Sequence, residues 1–341
     1  MCLLAGLTTR VAIIRAVPTL DQAAQRLARI LTGEHDEYTD PSGGDLEFME
    51  EVSPRPLEPM PAPPDCWAVD GGQALVADAR CVQVAVTRAA RTRWQAGACT
   101  LEEQTGVSVH VLTGTDGGPE ARRSLAETAA PVAQTAPVDL NLLRDWSEWA
   151  LVADSVELAE PGGVVLVDGD LQPDWRVAAQ WLGALLERAT TRGVTLVGVT
   201  KHSSLARGNA PLVGRLELEA EKVLGTRARW WAPVGTRRRE LGPGLLVVVA
   251  RLDPDAPFAF RVDLPIGPAP EAVLGGLCAL SNDAAFPGYP YPLSAADRLA
   301  ACSGWARAEL RADLGTALEA AGVAPEVSER AFADRHRLME R

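Results

Sequence analysis

Two stretches, WAVDGG (67–72) and GVVLVDGD (163–170), decide how this chain folds. Each is an apolar run that stops at an aspartate followed by glycine. The second run has no polar residue before Asp168, as expected of a strand buried on both faces of a sheet. Working outward from the first, CVQVAVTRA (81–89) and VSVHVL (107–112) alternate as strands do, so three successive strands suggest an antiparallel meander. Between the two stretches, residues 138–159 place Leu142, Leu143, Trp146, Trp149, Val152 and Val156 at helical spacing, and Pro161-Gly162-Gly163 marks the end. After the second come a helix over about 174–191 and the apolar strand VTLVGVT (194–200), which completes a βαβ unit.

The order βββαβαβ, antiparallel strands first and parallel strands afterwards, is that of an α/β ribonuclease H-like mixed sheet flanked by helices. LLVVVAR (245–251) and FAFRVDL (258–264) add a hairpin, and the chain from Pro270 reads as helices around the turn FPGYPYPL (286–293). At the other end, residues 19–31 form an amphipathic helix. Residues 34–65 carry ten acids against Arg55 alone, with a proline-rich run, and predict an exposed lead-in. The chain thus divides into an N-terminal helix and lead-in (1–65) and a main α/β domain (66–341).

With 341 residues, 47% of them hydrophobic and 23% charged, the chain is long enough for a large core and has the composition of a globular protein. Six scattered cysteines have neither zinc-site spacing nor the density of a disulfide framework, and Arg10 and Arg15 interrupt the apolar N-terminus. A cytoplasmic protein without a membrane span is expected. The net charge of −12 argues against a nucleic-acid binder. However, −9 of it falls within 34–65, so the acidity is local. Only two basic residues are lysines, Lys201 and Lys222, and Lys201 lies just beyond the third apolar strand.

Asp-Gly is also a common turn dipeptide. Two aspartates ending adjacent buried strands nevertheless demand pairing or a cation, because a buried carboxylate is costly when alone. Close carboxylates repel, and a bound Mg²⁺ or Mn²⁺ relieves that repulsion while activating water. Glu148, bordering the apolar stripe of the long helix, and Glu157, near its end, are the further acids available. Residues 227–239 (RARWWAPVGTRRR) offer Arg227, Arg229, Arg237, Arg238 and Arg239 with Trp230 and Trp231 for phosphate contacts and base stacking, and 88–94 (RAARTRW) makes a weaker case.

WAVDGG, a helical acid about twenty residues before VVLVDGDL, VGVTKHSS and GYPYPLSAAD, in that order between about Cys66 and Ala301, together resemble the NurA nucleases, partners of the HerA translocase in DNA end resection. The resemblance implies a manganese-dependent deoxyribonuclease, with Mg²⁺ as an alternative. Asp70, Glu148 and Asp168 match its metal ligands, and Lys201 and Tyr289 match its lysine and tyrosine. Its last ligand is commonly histidine, where this chain carries Asp297, so the set here is entirely carboxylate. The mechanism implied is two-metal hydrolysis of phosphodiesters, by single-strand endonuclease and 5′–3′ exonuclease action in break repair. The resemblance also implies a homodimer seated on a hexameric HerA-type ATPase, for which the apolar N-terminus and the C-terminal helices are contact candidates. A rival reading is a haloacid-dehalogenase-like phosphatase, with Asp168 as nucleophile, Asp170 as acid/base, Lys201 on phosphate and Asp283 on metal; it leaves Asp70 without a role.

Overall fold

A computed structural model describes residues 19–33, 37–40, 46–114, 117–127, 138–171 and 177–333. The apolar N-terminus, named above as a contact candidate, lies outside the described residues. Helix α1 (Leu20–Thr32) opens on a capping box in which Thr19 and Gln22 each bond the other's backbone, and it buries no residue. The described part of the acidic stretch that follows is exposed at many positions, as expected, but it is also tied to the sheet. Its strand β1 (Tyr38–Thr39) pairs with Ala206–Arg207, while β2 (Leu46–Phe48) and β3 (Arg55–Pro56) add to the strand that starts at Trp230. Val52 and Leu57 are buried, and the Asp40 side chain is enclosed by Arg237 and Arg261. Net charge over a window says nothing about a single acid that finds two arginines far along the chain.

Strands β4 (Asp65–Asp78) and β5 (Val82–Gln95) form a long antiparallel pair. The predicted third strand is β7 (Ser108–Thr113), which pairs with the first half of β5, and an unpredicted strand before it, β6 (Ala98–Gln104), pairs with the second half. Between the two, Thr105 bonds Ala89 through both its backbone N–H and its hydroxyl. Helices α2 (Gly118–Glu127) and α3 (Leu140–Leu158) follow, the second capped by the Asp139 carboxylate on the Leu142 N–H. Then β8 (Val164–Asp168), α4 (Ala179–Thr191) and β9 (Thr195–Thr200) form the expected βαβ unit, with β8 parallel to both β4 and β9.

The short β10 (Ala206–Arg207) and β11 (Ala210–Pro211) lead to α5 (Leu212–Leu224), and β12 (Trp230–Arg237), β13 (Leu245–Arg251) and β14 (Phe260–Pro265) extend the sheet antiparallel beyond β9. The last elements are α6 (Pro270–Cys278), α7 (Tyr291–Ala300), α8 (Gly304–Ala320) and α9 (Pro325–Ala331). The main sheet runs β2-β12-β13-β14-β9-β8-β4-β5-β6. Its β6-to-β9 half is the ribonuclease H-like arrangement.

Both faces of the central strands are covered. Cys66, Ala68, Val164, Leu166, Val197 and Val199 point to the side occupied by α6 and α7, whereas Trp67, Val69, Val165, Val167 and Leu196 point to α3 and α4. This two-residue alternation on doubly buried strands sets where the functional side chains emerge.

Candidate metal centre

On the α6/α7 face, Asp70 follows Cys66 and Ala68, and Asp168 follows Val164 and Leu166, each carboxylate taking the next place after the last apolar residue. Lys201 continues the line of Val197 and Val199 just past β9. Pairing between β4 and β8 stops at Val69 and Val167, so the sheet opens where the acids begin. Asp70 is not at a strand end, as the Asp-Gly reading implies: β4 runs on to Asp78 against β5 alone. Asp168 does end its strand, and Gly169 turns the chain with φ 136°.

Helix α7 crosses this opening and brings Asp297, so that one carboxylate oxygen from each of Asp70, Asp168 and Asp297 lies within 4.8 Å of the others. Asp70 is 7% exposed. Burial, then the charges of Asp168 and Asp297, push its carboxyl up to about 8, against a smaller lowering by the Gly71 N–H and Lys201. Lys201 Nζ donates to Asp168 at 2.7 Å and lies 3.6 Å from Asp297. Burial disfavours its charge, but its hydrogen bond and the surrounding carboxylates outweigh that and raise it. The ammonium also stands 5.0 Å from the centre of the Tyr289 ring. Tyr289 is buried, and among the described residues its hydroxyl has only Asp168 nearby, without a well-formed hydrogen bond. Burial, then the charges of Asp168 and Asp70, raise it well above the usual tyrosine value.

Glu148 reaches the same place from the other side of β4. It is buried on α3, and its Oε2 would lie 2.9 Å from a Cβ added at Gly71. It stands outside the three-acid set, yet close enough that, after burial, the charge of Asp70 is the main influence raising its carboxyl well above the ordinary value. Glu157 is elsewhere, bound to Arg188 and Arg192. Arg144, one turn before Glu148 and not anticipated above, also rests on Gly71; its spacing of four from Glu148 was the available signal.

The two glycines after Asp70 therefore have a definite task other than a turn. Gly71 admits α3, and Gly72 admits the end of α7, where an added Cβ would stand 1.9 Å from the Ala300 carbonyl oxygen. Gly72→Ala should push α7, and Asp297 with it, away from β4, at a cost of about 1–3 kcal/mol. Denaturant unfolding together with cation titration checks this: the variant is expected to lose both stability and divalent-cation affinity, whereas loss of stability alone would show that α7 does not hold the site.

The proposed DNA-contact segment is corrected. Its centre is β12, where Trp230 is buried in the cluster that includes α5 and Trp231 in the one that includes α6, 1% and 4% exposed, so neither ring has a face for a base. Arg237 is buried against Asp40. Arg229 bonds the Leu252 carbonyl, Arg239 reaches the Leu171 and Ala179 carbonyls, and the exposed Arg227 and Arg238 pair with Asp255 and Glu47. In 88–94, Arg91 and Arg93 are likewise engaged, with Glu103 and with Asp65 and Glu160. The residues required by the phosphatase reading also part company: Asp170 faces Arg261 at 3.8 Å, and Asp283 caps an exposed turn at the Ala285 N–H. Neither joins the triad.

A ribonuclease H-like sheet with three carboxylates converging from β4, β8 and a covering helix defines a class, that of α/β proteins with an all-carboxylate centre at the opening of the sheet. No protein-family model matches the chain, and no curated protein matches it. Among solved structures, the NurA nuclease from Sulfolobus solfataricus is similar over 88% of this chain and 93% of that one, with a TM-score of 0.53 and 15% identity. A further NurA structure covers 71% of this chain and 86% of its own at TM-score 0.45 and 8% identity, and human ENDOV covers 83% and 96% at 0.39 and 15%. The first of these likenesses shows that the chain has a NurA-like fold. No described helix is long and apolar enough to cross a membrane.

Proposed function

We propose that the protein is a divalent-metal-dependent deoxyribonuclease. The observation that carries this reading is the convergence of Asp70, Asp168 and Asp297 within 4.8 Å, with Lys201 bonded to one of them at the mouth of a groove. An all-oxygen donor set with one carboxyl pushed up to about 8 suits a hard divalent cation. Asp70, Asp168 and Asp297 would hold it, with Glu148 joining from behind Asp70; Mn²⁺ or Mg²⁺ there would supply an activated water and stabilise the leaving 3′ oxygen, with two ions as the fuller form of the reading.

The chain's own contribution follows from its geometry. Lys201 keeps Asp168 turned into the site and offsets the charge that develops on the scissile phosphate. Tyr289, whose buried hydroxyl makes no well-formed hydrogen bond among the described residues, donates to a phosphate oxygen and positions it. Arg144 balances the paired charges of Glu148 and Asp70.

The finer reading is an end-resection nuclease with single-strand endonuclease and 5′–3′ exonuclease action, working as a homodimer with a hexameric HerA-type ATPase. The fold shared with the Sulfolobus NurA nuclease supports it. Incubating end-labelled single-stranded and duplex DNA with Mn²⁺, Mg²⁺ or chelator, with and without such an ATPase, tests both levels. Cation-dependent shortening of the label is expected. A protein that leaves DNA intact with either cation would end the nuclease reading, and indifference to the ATPase would end the partnership. In the same assay Glu148→Gln is expected to lower the rate about 10²-fold and Glu157→Gln to leave it within about 2-fold, as fits one acid beside Asp70 and one in surface ion pairs.

A further inference from the structure

The metal centre opens into a groove of about 1370 Å³ whose walls are unusually aromatic. From Lys201 an unbroken series of ring contacts leads outward: Lys201 over Tyr289, Tyr289 against Phe260 at 5.3 Å, and Phe260 against Phe258 at 5.9 Å. A separate pair, Trp94 and Tyr291, meets edge to face at 4.8 Å and lines the same groove. Phe258 and Phe286 are 56% and 62% exposed there. Two exposed phenylalanines in one groove form an apolar surface that calls for an occupant.

We propose that this groove is a base-stacking subsite that selects an unpaired DNA strand; the proposal rests on the nuclease reading and names the form of its substrate. Three observations favour bases over any other apolar occupant. The groove is continuous with the metal centre, since Lys201, Tyr289 and Asp297 line both. It offers ring faces rather than branched aliphatic side chains. Two cations stand on its walls, Lys201 beside the carboxylates and the exposed Arg298, which meets Glu102 at 3.4 Å, alongside the acids Asp283 and Asp297. The bases of a duplex are already stacked on one another, so aromatic walls reward only a strand whose bases are free. Phosphates beside Lys201 and Arg298 and bases against Phe258 and Phe286 would then hold the strand in register with the carboxylates.

The test compares bases with no bases. In an Asp70→Asn background, which prevents degradation, fluorescence anisotropy measures binding of a labelled single-stranded oligonucleotide, of the same oligonucleotide made abasic along its length, and of a duplex. Phe258→Ala and Phe286→Ala should each weaken binding of the normal strand about 10-fold while changing the abasic strand and the duplex by less than about 2-fold. Equal weakening of normal and abasic strands, or none, overturns the proposal. So does a change of mass in light scattering on substituting either phenylalanine, because the groove would then cover a second copy of the chain. The nuclease reading is separable: base-dependent binding by a protein that never cleaves DNA would remove that reading and leave the subsite, and cleavage with no base dependence would do the reverse.

Discussion

Replacing Asp70 by asparagine should lower cation-dependent DNA cleavage by at least about 10³-fold, the scale expected when a directly ligating, charge-bearing group is lost from a preorganised site. The same substitution should leave the fold intact and make the cation-free protein more stable. The reason lies in the crowding of the centre. Asp70 is buried beside Asp168, Asp297 and Glu148, and its carboxyl is pushed up to about 8. An unfolded chain releases that proton near about 4. Between those limits the native state holds a proton that the unfolded state has lost, so stability falls as pH rises. The stability associated with the protonated carboxyl is complete below about pH 4 and gone above about pH 8. Melting temperature measured in chelator from pH 5 to 9 should therefore decline in the native protein and decline less in Asp70→Asn, with the variant the more stable of the two at pH 9.

Divalent cations reverse the comparison. A cation displaces the proton from Asp70, so its apparent affinity rises over the same interval, and it should raise the melting temperature of the native protein and hardly that of the variant. A variant that cleaves at the native rate would remove Asp70 from the chemistry. A variant that melts lower than the native protein in chelator at pH 9 would show that the carboxylate serves packing rather than metal binding.

How much of this was legible in the sequence depended on how local each signal was. β8 and β9 could be read directly, because a strand covered on both faces must be apolar at every position, and helix α3 because its buried stripe recurs at helical spacing. β6 could not: ACTLEEQ is an edge strand with only Leu101 partly covered, so it lacks the alternation that marks a half-buried strand. The end of β4 was misplaced because Gly71-Gly72 has the composition of a turn, although both residues are extended and their missing side chains make room for helices more than 70 residues away. Trp230 and Trp231 were misjudged for a related reason. The arginines on either side dominate the local charge, whereas burial of the two rings is decided by the clusters on the two faces of the sheet, which include α5 over Trp230 and α6 over Trp231. The site divides in the same way. Asp70 and Asp168 stand out because each ends an apolar run, but Asp297 on α7 has no local pattern to mark it, and only the resemblance singled it out.

The clearest case of a non-local determinant is Asp40, and its removal provides the second large effect. Its side chain is 1% exposed, one oxygen receives Arg237 and Arg261, and the other accepts from the Ser204 hydroxyl at 2.7 Å. Arg261 has other support: Asp263 binds it through two hydrogen bonds, at 2.9 and 3.1 Å, and Asp170 lies at 3.8 Å. Arg237 is more dependent, since its side chain is 2% exposed and its Nε has no partner among the described residues. Asp40→Ala would leave a buried guanidinium uncompensated, at a cost of about 3–5 kcal/mol, visible as a lower denaturant midpoint. The cost comes from the stranded charge rather than from the attraction lost. Asp40→Ala combined with Arg237→Leu should therefore be more stable than Asp40→Ala alone. If the two substitutions merely add, the arginine is not stranded, and the acidic segment is held to the sheet by its backbone pairing and by Val52 and Leu57 instead.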